Sequence, residues 1–238
     1  MSSDDETSST PRPARHRAGA SYARGEETRK RIVAVAIRVF GERGFEGAST
    51  REIAKAAGVN APALQYYFDS KEGLYQACGE HIAALAVEHF SPVVEEARTL
   101  LADEHAPREA LFEAFGKLLD TLVDHHLLSE HLDNHRLFMA QEQARQESSP
   151  LFEMVDRKLG ARTRDVSLQL VARYCGIKST DSELRLRVMM LYGQVMGFTH
   201  GRRTMLTKLG WERFGPKELA MIKRLAREQS RTLMDSWA

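Results

Sequence analysis

Residues 58–74 read GVNAPALQYYFDSKEGL, and the proline four positions after the glycine decides how the stretch folds. If Asn60 is the N-cap, Pro62 falls at the second helical position. Its missing N–H would have no intrahelical partner there in any case. Leu64 and Phe68 then share one face at i, i+4, with Tyr67 beside them. A helix this short does not persist alone in water, so it has to dock on neighbours. Just upstream, STREIAKAAG (residues 49–58) opens a second short helix. Ser49 or Thr50 is its N-cap, Ile53, Ala54 and Ala57 form its inner face, and Gly58 closes it. Short helix, glycine turn, short helix is the layout of a helix-turn-helix.

The flanks extend the pattern. Val33, Ala36, Ile37 and Phe40 recur at helical spacing, and Gly44 is expected to end that helix as a left-handed cap before Phe45 turns inward. Downstream, a helix is expected to open at Asp69 or Ser70, with DSKE as a capping box from Asp69 to Glu72. Its apolar set Leu74, Cys78, Ile82 and Leu85 carries it to about Phe90, before Pro92.

With Leu64 and Phe68 turned inward, Ala61, Pro62, Gln65 and Tyr66 face outward. In a helix-turn-helix the second helix presents its N-terminal residues to the major groove. Small residues at 61–63 permit close approach to base edges. Gln65 offers a paired donor and acceptor suited to adenine, and Tyr66 can pack on a thymine methyl or reach a phosphate. Tyr67 is expected to split, ring against the bundle and hydroxyl toward the DNA backbone.

Residues 31–77, RIVAVAIRVFGERGFEGASTREIAKAAGVNAPALQYYFDSKEGLYQA, resemble the DNA-binding domain of the TetR family of transcriptional regulators. TREIA, AGV, YYF and SKE fall at the family's spacing over about residues 28–77, without gaps. The resemblance implies a three-helix head and a fourth helix that links it to a regulatory body. It places Thr50 and Arg51 at the start of the supporting helix near DNA, Asn60 and Ala61 to Tyr66 at the groove, and Tyr67 and Lys71 at phosphates. The family usually has tyrosine where Gln65 stands and commonly Ser or Thr where Ala63 stands.

The chain has 238 residues, 42% hydrophobic and 28% charged, an ordinary globular composition. Its net charge of +1 conceals a division. From Arg12 to Lys55 there are eleven basic and five acidic residues; elsewhere there are 23 and 28. A basic front on an acidic body points to a polyanionic partner. Residues 1–25, rich in Ser, Thr, Pro and Arg, are expected to form a disordered basic arm. Arg12, Arg15, Arg17 and Arg24 either reach a minor groove or simply solubilise it. There is no apolar leader, no apolar run of membrane-spanning length, and only Cys78 and Cys175. These features fit a cytoplasmic protein without disulfides or a membrane partner.

Strand signals are scarce. The fold class read here is all-α: arm 1–25, helix-turn-helix domain 26–75, and a helical-bundle body 76–238 for ligand sensing and dimerisation. Helix breaks are expected near Pro107, Ser148–Pro150, Gly176–Asp181 and Gly210–Pro216. In residues 185–209, Gly193, Gly197 and Gly201 fall on one helical stripe. Each costs about 1 kcal/mol against alanine, so a closely packed second helix is expected on that face. Leu219, Ile222 and Leu225 of the last helix join it in a four-helix homodimer interface. A helix-turn-helix that reads a palindrome predicts the same dimer.

The body also resembles the CecR-like branch of the family, through FMAQEQARQESSPLFEMV (residues 138–155) and LYGQVMGFTHGRRTMLTKLGW (residues 191–211). Pocket candidates are the aromatic and adaptable side chains Phe112, Phe115, Phe138, Met139 and Phe152. Met189, Tyr192, Met196 and Phe198 extend the set, with Tyr192 and Gln194 as the polar groups that orient a small-molecule effector. Ordinary core packing competes for each of them. In DHHLLSEHLDNHR (residues 124–136), His131 and His135 stand four apart, the spacing of a metal pair, with His125, His126 and Asp133 nearby. The glutamate of a zinc-protease motif is missing, and a solvated helix face explains the run equally. No phosphate-binding loop, nucleophile elbow or dinucleotide fingerprint is present, so no catalytic residue and no cofactor is assigned. The reading is a ligand-responsive repressor, with an activator or a metal sensor as the alternative.

Overall fold

The computed structural model describes residues 15–128, 132–144, 153–154 and 156–238; every statement about structure here concerns those residues. They form α-helices joined by short turns, and none is long and apolar enough to cross a membrane. The head is α1 (Arg15–Gly47), α2 (Thr50–Ala56) and α3 (Ala61–Tyr67). The body follows with α4 (Lys71–Ala102), α5 (Arg108–Val123), a π turn at Asp124–Leu128 and α6 (Leu132–Ala144). A second π turn (Asp156–Gly160) leads into α7 (Ala161–Cys175), α8 (Ser182–His200), α9 (Arg202–Leu209) and α10 (Pro216–Trp237).

Three apolar clusters hold these helices. Ile32, Ile37, Phe40, Ile53, Leu64 and Leu74 close the head, and Phe138 reaches into the same cluster from α6. Phe90, Phe115, Leu118, Leu170, Leu191 and Met234 form the centre of the body. Val123, Val195, Phe214, Leu219 and Ile222 form a third cluster. Only α4 spans the first two, with Leu74, Cys78 and Ile82 in the head and Phe90, Val94 and Ala97 in the body. Its 32 residues make a rod roughly 48 Å long.

Helix α4 corrects the expected stop before Pro92. Pro92 removes one hydrogen bond, to the carbonyl of Glu88, and both residues lie on the exposed face of the helix. Burial of Phe90, Val94 and Ala97 holds the other face, so the helix runs on to Ala102. Arg173 from α7 finishes the rod, donating to the carbonyls of Leu101 (3.0 Å), Asp103 (2.8 Å) and Glu104 (3.0 Å).

The first helix corrects the expected arm. It begins at Arg15, so residues 15–25 are helical, while Arg12 lies outside the described residues. Gly44 does break α1, at φ 70° and ψ 174°, but a further turn to Gly47 follows. The start of α4 is capped one residue later than the DSKE reading: the Ser70 hydroxyl accepts from the Gly73 N–H at 3.0 Å. Of the expected breaks, those at Pro107, Gly176–Asp181 and Gly210–Pro216 stand; Ser148–Pro150 lies outside the described residues.

Helix α6 binds head to body. Phe138 packs with Phe40 and Tyr75 at ring-centroid distances of 6.3 and 4.6 Å. The Tyr75 hydroxyl donates to the buried Glu142 carboxylate. Gly41 of α1 lies so close to α6 that a Cβ there would meet the Asn134 carbonyl oxygen, Leu137 Cβ and the Phe138 nitrogen at 3.1 Å.

Candidate nucleic-acid interface

The local chemistry of α2 and α3 fixes the turn. The Ser49 hydroxyl accepts from the Glu52 N–H at 3.2 Å, and Asn60 Oδ1 accepts from the Ala63 N–H at 2.8 Å. Gly58 supplies φ 66°, a left-handed conformation that side-chain-bearing residues rarely adopt. Pro62 sits in the first turn of α3, where no donor is needed. Leu64 and Phe68 are buried, and the Arg29 guanidinium lies 5.2 Å above the Phe68 ring. Ala61, Pro62, Gln65 and Tyr66 are all exposed, Tyr66 at 84%. Tyr67 is half-buried against the head cluster and meets Tyr66 edge-on, with centroids 5.4 Å apart. Thus one ring of the pair faces outward and the other braces the helix.

Beside α3 lies an open concavity of about 510 Å³ that brings together Thr50, Arg51, Ala61, Gln65 and Lys71. Lys71 is already engaged: its ammonium sits 4.5 Å over the Phe45 ring and 3.5 Å from the Glu46 carbonyl oxygen. Ser49, Asp69 and Ser70 line the same concavity. The sequence marks all three as candidate caps but not as surface for a partner.

A larger cavity, about 850 Å³, opens in the body between α6, α8 and α9. Leu137, Met139, Met196, Leu206 and Trp211 supply apolar wall, and Arg136, Arg202 and Arg203 supply guanidinium groups. The Arg136 and Arg202 side chains are only 17% and 19% exposed. Asp133 is ion-paired to Arg136 and lies 3.9 Å from Arg202 Nε. Burial, and then the charge of Arg202, push the Arg136 pKa down to about 10. Arg136 also donates to the His126 carbonyl, and Arg202 donates to the Leu127 carbonyl at 3.2 Å.

Two family descriptions match separate parts of the chain. Residues 32–78 match bacterial regulatory proteins of the tetR family, and residues 107–236 match the C-terminal domain of the HTH-type transcriptional dual regulator CecR. The CecR protein of Shigella flexneri is 32% identical over 203 residues, which cover 85% of this chain and 89% of that one. The chain belongs to the TetR family of transcriptional regulators. The HTH-type transcriptional repressor NicS of Pseudomonas putida is 34% identical over 107 residues, 45% of this chain and 47% of its own. Solved structures share the fold. AibR, in complex with isovaleryl coenzyme A and operator DNA, superposes with TM-score 0.58 at 17% identity, covering 85% of this chain and 97% of its own. FadR of Bacillus subtilis, in complex with stearoyl-CoA, gives 0.55 at 18%, covering 84% and 95%.

Within this TetR-family regulator the expected pocket residues scatter. Met139 and Met196 line the large cavity. Phe112 and Phe115 are instead buried in the body core, where Phe115 meets Tyr192 edge-on at 6.0 Å. Phe138 belongs to the head cluster, and Met189 is 64% exposed. Tyr192 bonds Ser167, and burial raises its phenol pKa to about 12. Gln194 donates to the Ser230 hydroxyl at 2.9 Å, tying α8 to α10. Phe198 packs on Phe214, with centroids 6.4 Å apart. Phe152 lies outside the described residues.

The expected interface set divides too. Gly193 and Gly197 are exposed, with nothing within 4 Å of an added Cβ; Gly201 instead contacts Met205 and the Gly197 carbonyl. Leu225 is exposed, but Leu219 and Ile222 are buried inside the protomer, because α10 turns that face onto Val123, Val195 and Phe214. Leu233 is exposed as well, and Leu186, Met190 and Met221 are exposed apolar residues of α8 and α10 outside the expected set. His131 lies outside the described residues, and among those described no three His, Cys, Asp or Glu side chains converge as a metal site. Arg136, Arg202 and Arg203 carried one sequence signal. Arg202 and Arg203 open a helix, where the dipole favours carboxylates instead.

Proposed function

We propose that this regulator is a ligand-responsive repressor: it binds a palindromic operator as a homodimer and is released by a small molecule held in its body. The observation that carries the reading is the face of α3. Ala61, Pro62, Gln65 and Tyr66 stand in solvent while Leu64 and Phe68 anchor the helix behind them. Thr50 and Arg51 supply backbone contacts at the start of α2, Asn60 caps the reading helix, and Tyr67 and Lys71 meet phosphates on its flank. Such contacts position the protein while base edges specify the site. Residues 26–75 act as the reading head and 76–238 as the sensing and dimerising body.

The homodimer is supported by exposed apolar residues of α8 and α10: Leu186, Met189 and Met190 share the helical stripe of Gly193 and Gly197, and Leu225 and Leu233 are exposed on α10. A second copy of the same pair completes a four-helix interface, and the glycines let two α8 helices approach closely. Operator release then follows from a change in head separation. Helix α4 is rooted in both cores, so an effector that prefers one tilt of the rod shifts the population of DNA-competent dimers. The complexes of AibR and FadR with coenzyme A thioesters support a small-molecule effector in this fold. The activator alternative uses the same contacts and is kept by the Shigella relative, named a dual regulator.

The test is binding to duplexes selected from a random pool, measured from 50 to 200 mM salt. Specific retention of a symmetric sequence, with affinity falling steeply as salt rises, supports the reading. No enrichment, or binding indifferent to salt, removes it.

A further inference from the structure

The body cavity has its own polarity. Its arginines gather where α6 and α9 begin: Arg136 with Asp133 on one, Arg202 and Arg203 on the other, with the Asp133 carboxylate beside both Arg136 and Arg202; the remaining charged lining residue, the exposed Glu212, lies beyond the end of α9. One turn or more further along the same helices the wall becomes Met139 and Ala140 on α6, then Leu206 and Trp211 at and beyond the end of α9. Met196 of α8 adds to this wall. The largely buried guanidinium groups of Arg136 and Arg202 share the single Asp133 carboxylate, which leaves a net positive charge and mutual repulsion between them. An incoming anion relieves that repulsion, and a guanidinium fork matches carboxylate and phosphate oxygens. The opposite end matches hydrocarbon.

We propose that this cavity binds an amphipathic organic anion. Its carboxylate or phosphate is held by Arg136 and Arg202, with Arg203 at the rim, and its hydrocarbon body lies against Met139, Met196, Leu206 and Trp211. The inference rests on the effector reading above and names the chemistry of the effector. The location suits that role, because α6 lines the cavity and also bears on the head through Phe138 and Glu142.

The experiment uses the full chain and four probes of equal length: decanoate, decyl phosphate, decanol and decyltrimethylammonium. Binding is read by calorimetry and by indole fluorescence, since Trp211 lines the cavity. Saturable binding of one anion per chain, at least tenfold tighter than decanol and with the cation weaker still, is expected. Whichever of decanoate and decyl phosphate binds more tightly identifies the headgroup. Arg202→Gln is expected to reduce anion affinity at least tenfold and leave decanol unchanged. Arg203→Gln, at an exposed position, repeats the measurement with a smaller loss if the first variant does not fold. Ala140→Trp, which fills the apolar end, is expected to abolish binding of all four. Decanol as tight as the anions overturns the proposal, as does equal loss for anion and alcohol in the arginine variants. Absence of saturable binding by any probe to folded protein overturns it too. The operator is absent from these titrations, so the outcomes separate. Anion binding without release of DNA leaves the site standing and removes the effector reading. DNA release by some other ligand, with no anion binding, does the reverse.

Discussion

Phe138→Ala tests how α6 joins the body to the reading head. Phe138 has no solvent exposure, and its ring meets Tyr75 at a tilt with centroids 4.6 Å apart and Phe40 edge-on at 6.3 Å. Truncation removes a buried aromatic from a cluster that Gly41 already holds at backbone contact distance, so the hole has little room to collapse. Replacement of such a phenylalanine costs about 3–5 kcal/mol. For a chain of this length each kcal/mol lowers the melting temperature by about 2–4 °C, so the expected drop is roughly 6–20 °C. The assay is calorimetric melting at fixed protein concentration, with Leu137→Ala as the comparison. Leu137 is its half-exposed neighbour on α6, and its truncation is expected to cost only about 1 kcal/mol. A Phe138→Ala protein that melts within 2 °C or so of the parent while losing effector binding refutes the reasoning, because that is how a pocket-lining phenylalanine behaves.

Gln65→Ala is expected to lower operator affinity by about 1–3 kcal/mol and to relax the base preference at one position of each half-site. Arg51→Ala is expected to weaken all sequences alike and reduce the salt slope by about one. Both side chains are exposed, so competition binding is expected to change and thermal melts are not. Gly193→Leu meets open space in the protomer, so far-ultraviolet circular dichroism is expected to be unchanged. Sedimentation is expected to show monomers where the parent dimerises. His125 is held neutral, its pKa lowered to about 4 first by burial and then by the charges of His89 and His135, with His126 and Phe90 also against its ring. An unfolded histidine takes its proton near pH 6.5. Stability is therefore retained above that pH and falls between about 6.5 and 4, by on the order of 3 kcal/mol. His125→Leu is expected to flatten that part of the melting profile.

The head was legible because its determinants are local. Ser49 and Asn60 cap their own first turns, Gly58 takes the one backbone conformation the turn requires, and Leu64 and Phe68 reveal a buried face by their spacing. The body was less so, because periodicity marks an apolar face without saying what covers it. Helix α10 carries two such faces: Leu219 and Ile222 close the protomer, while Met221, Leu225 and Leu233 remain outside. Phe138 reads as core or pocket from its spacing, and only the path of α6 across α1 assigns it to the head. Pro92 reads as a stop unless it is known that Pro92 and Glu88 lie on the exposed face while Phe90, Val94 and Ala97 are buried on the other. Arg136 and Arg202 are separated by 66 positions and look like solvated charges until α6 and α9 bring them to one carboxylate.

The most direct measurement is a hydroxyl-radical footprint on the selected operator, taken with the parent protein and with Tyr66→Ala. The account predicts two equivalent protected patches related by a dyad and whole helical turns apart, both lost together in the variant while its fold is intact. A single asymmetric patch, or protection that survives the loss of that exposed ring, contradicts it.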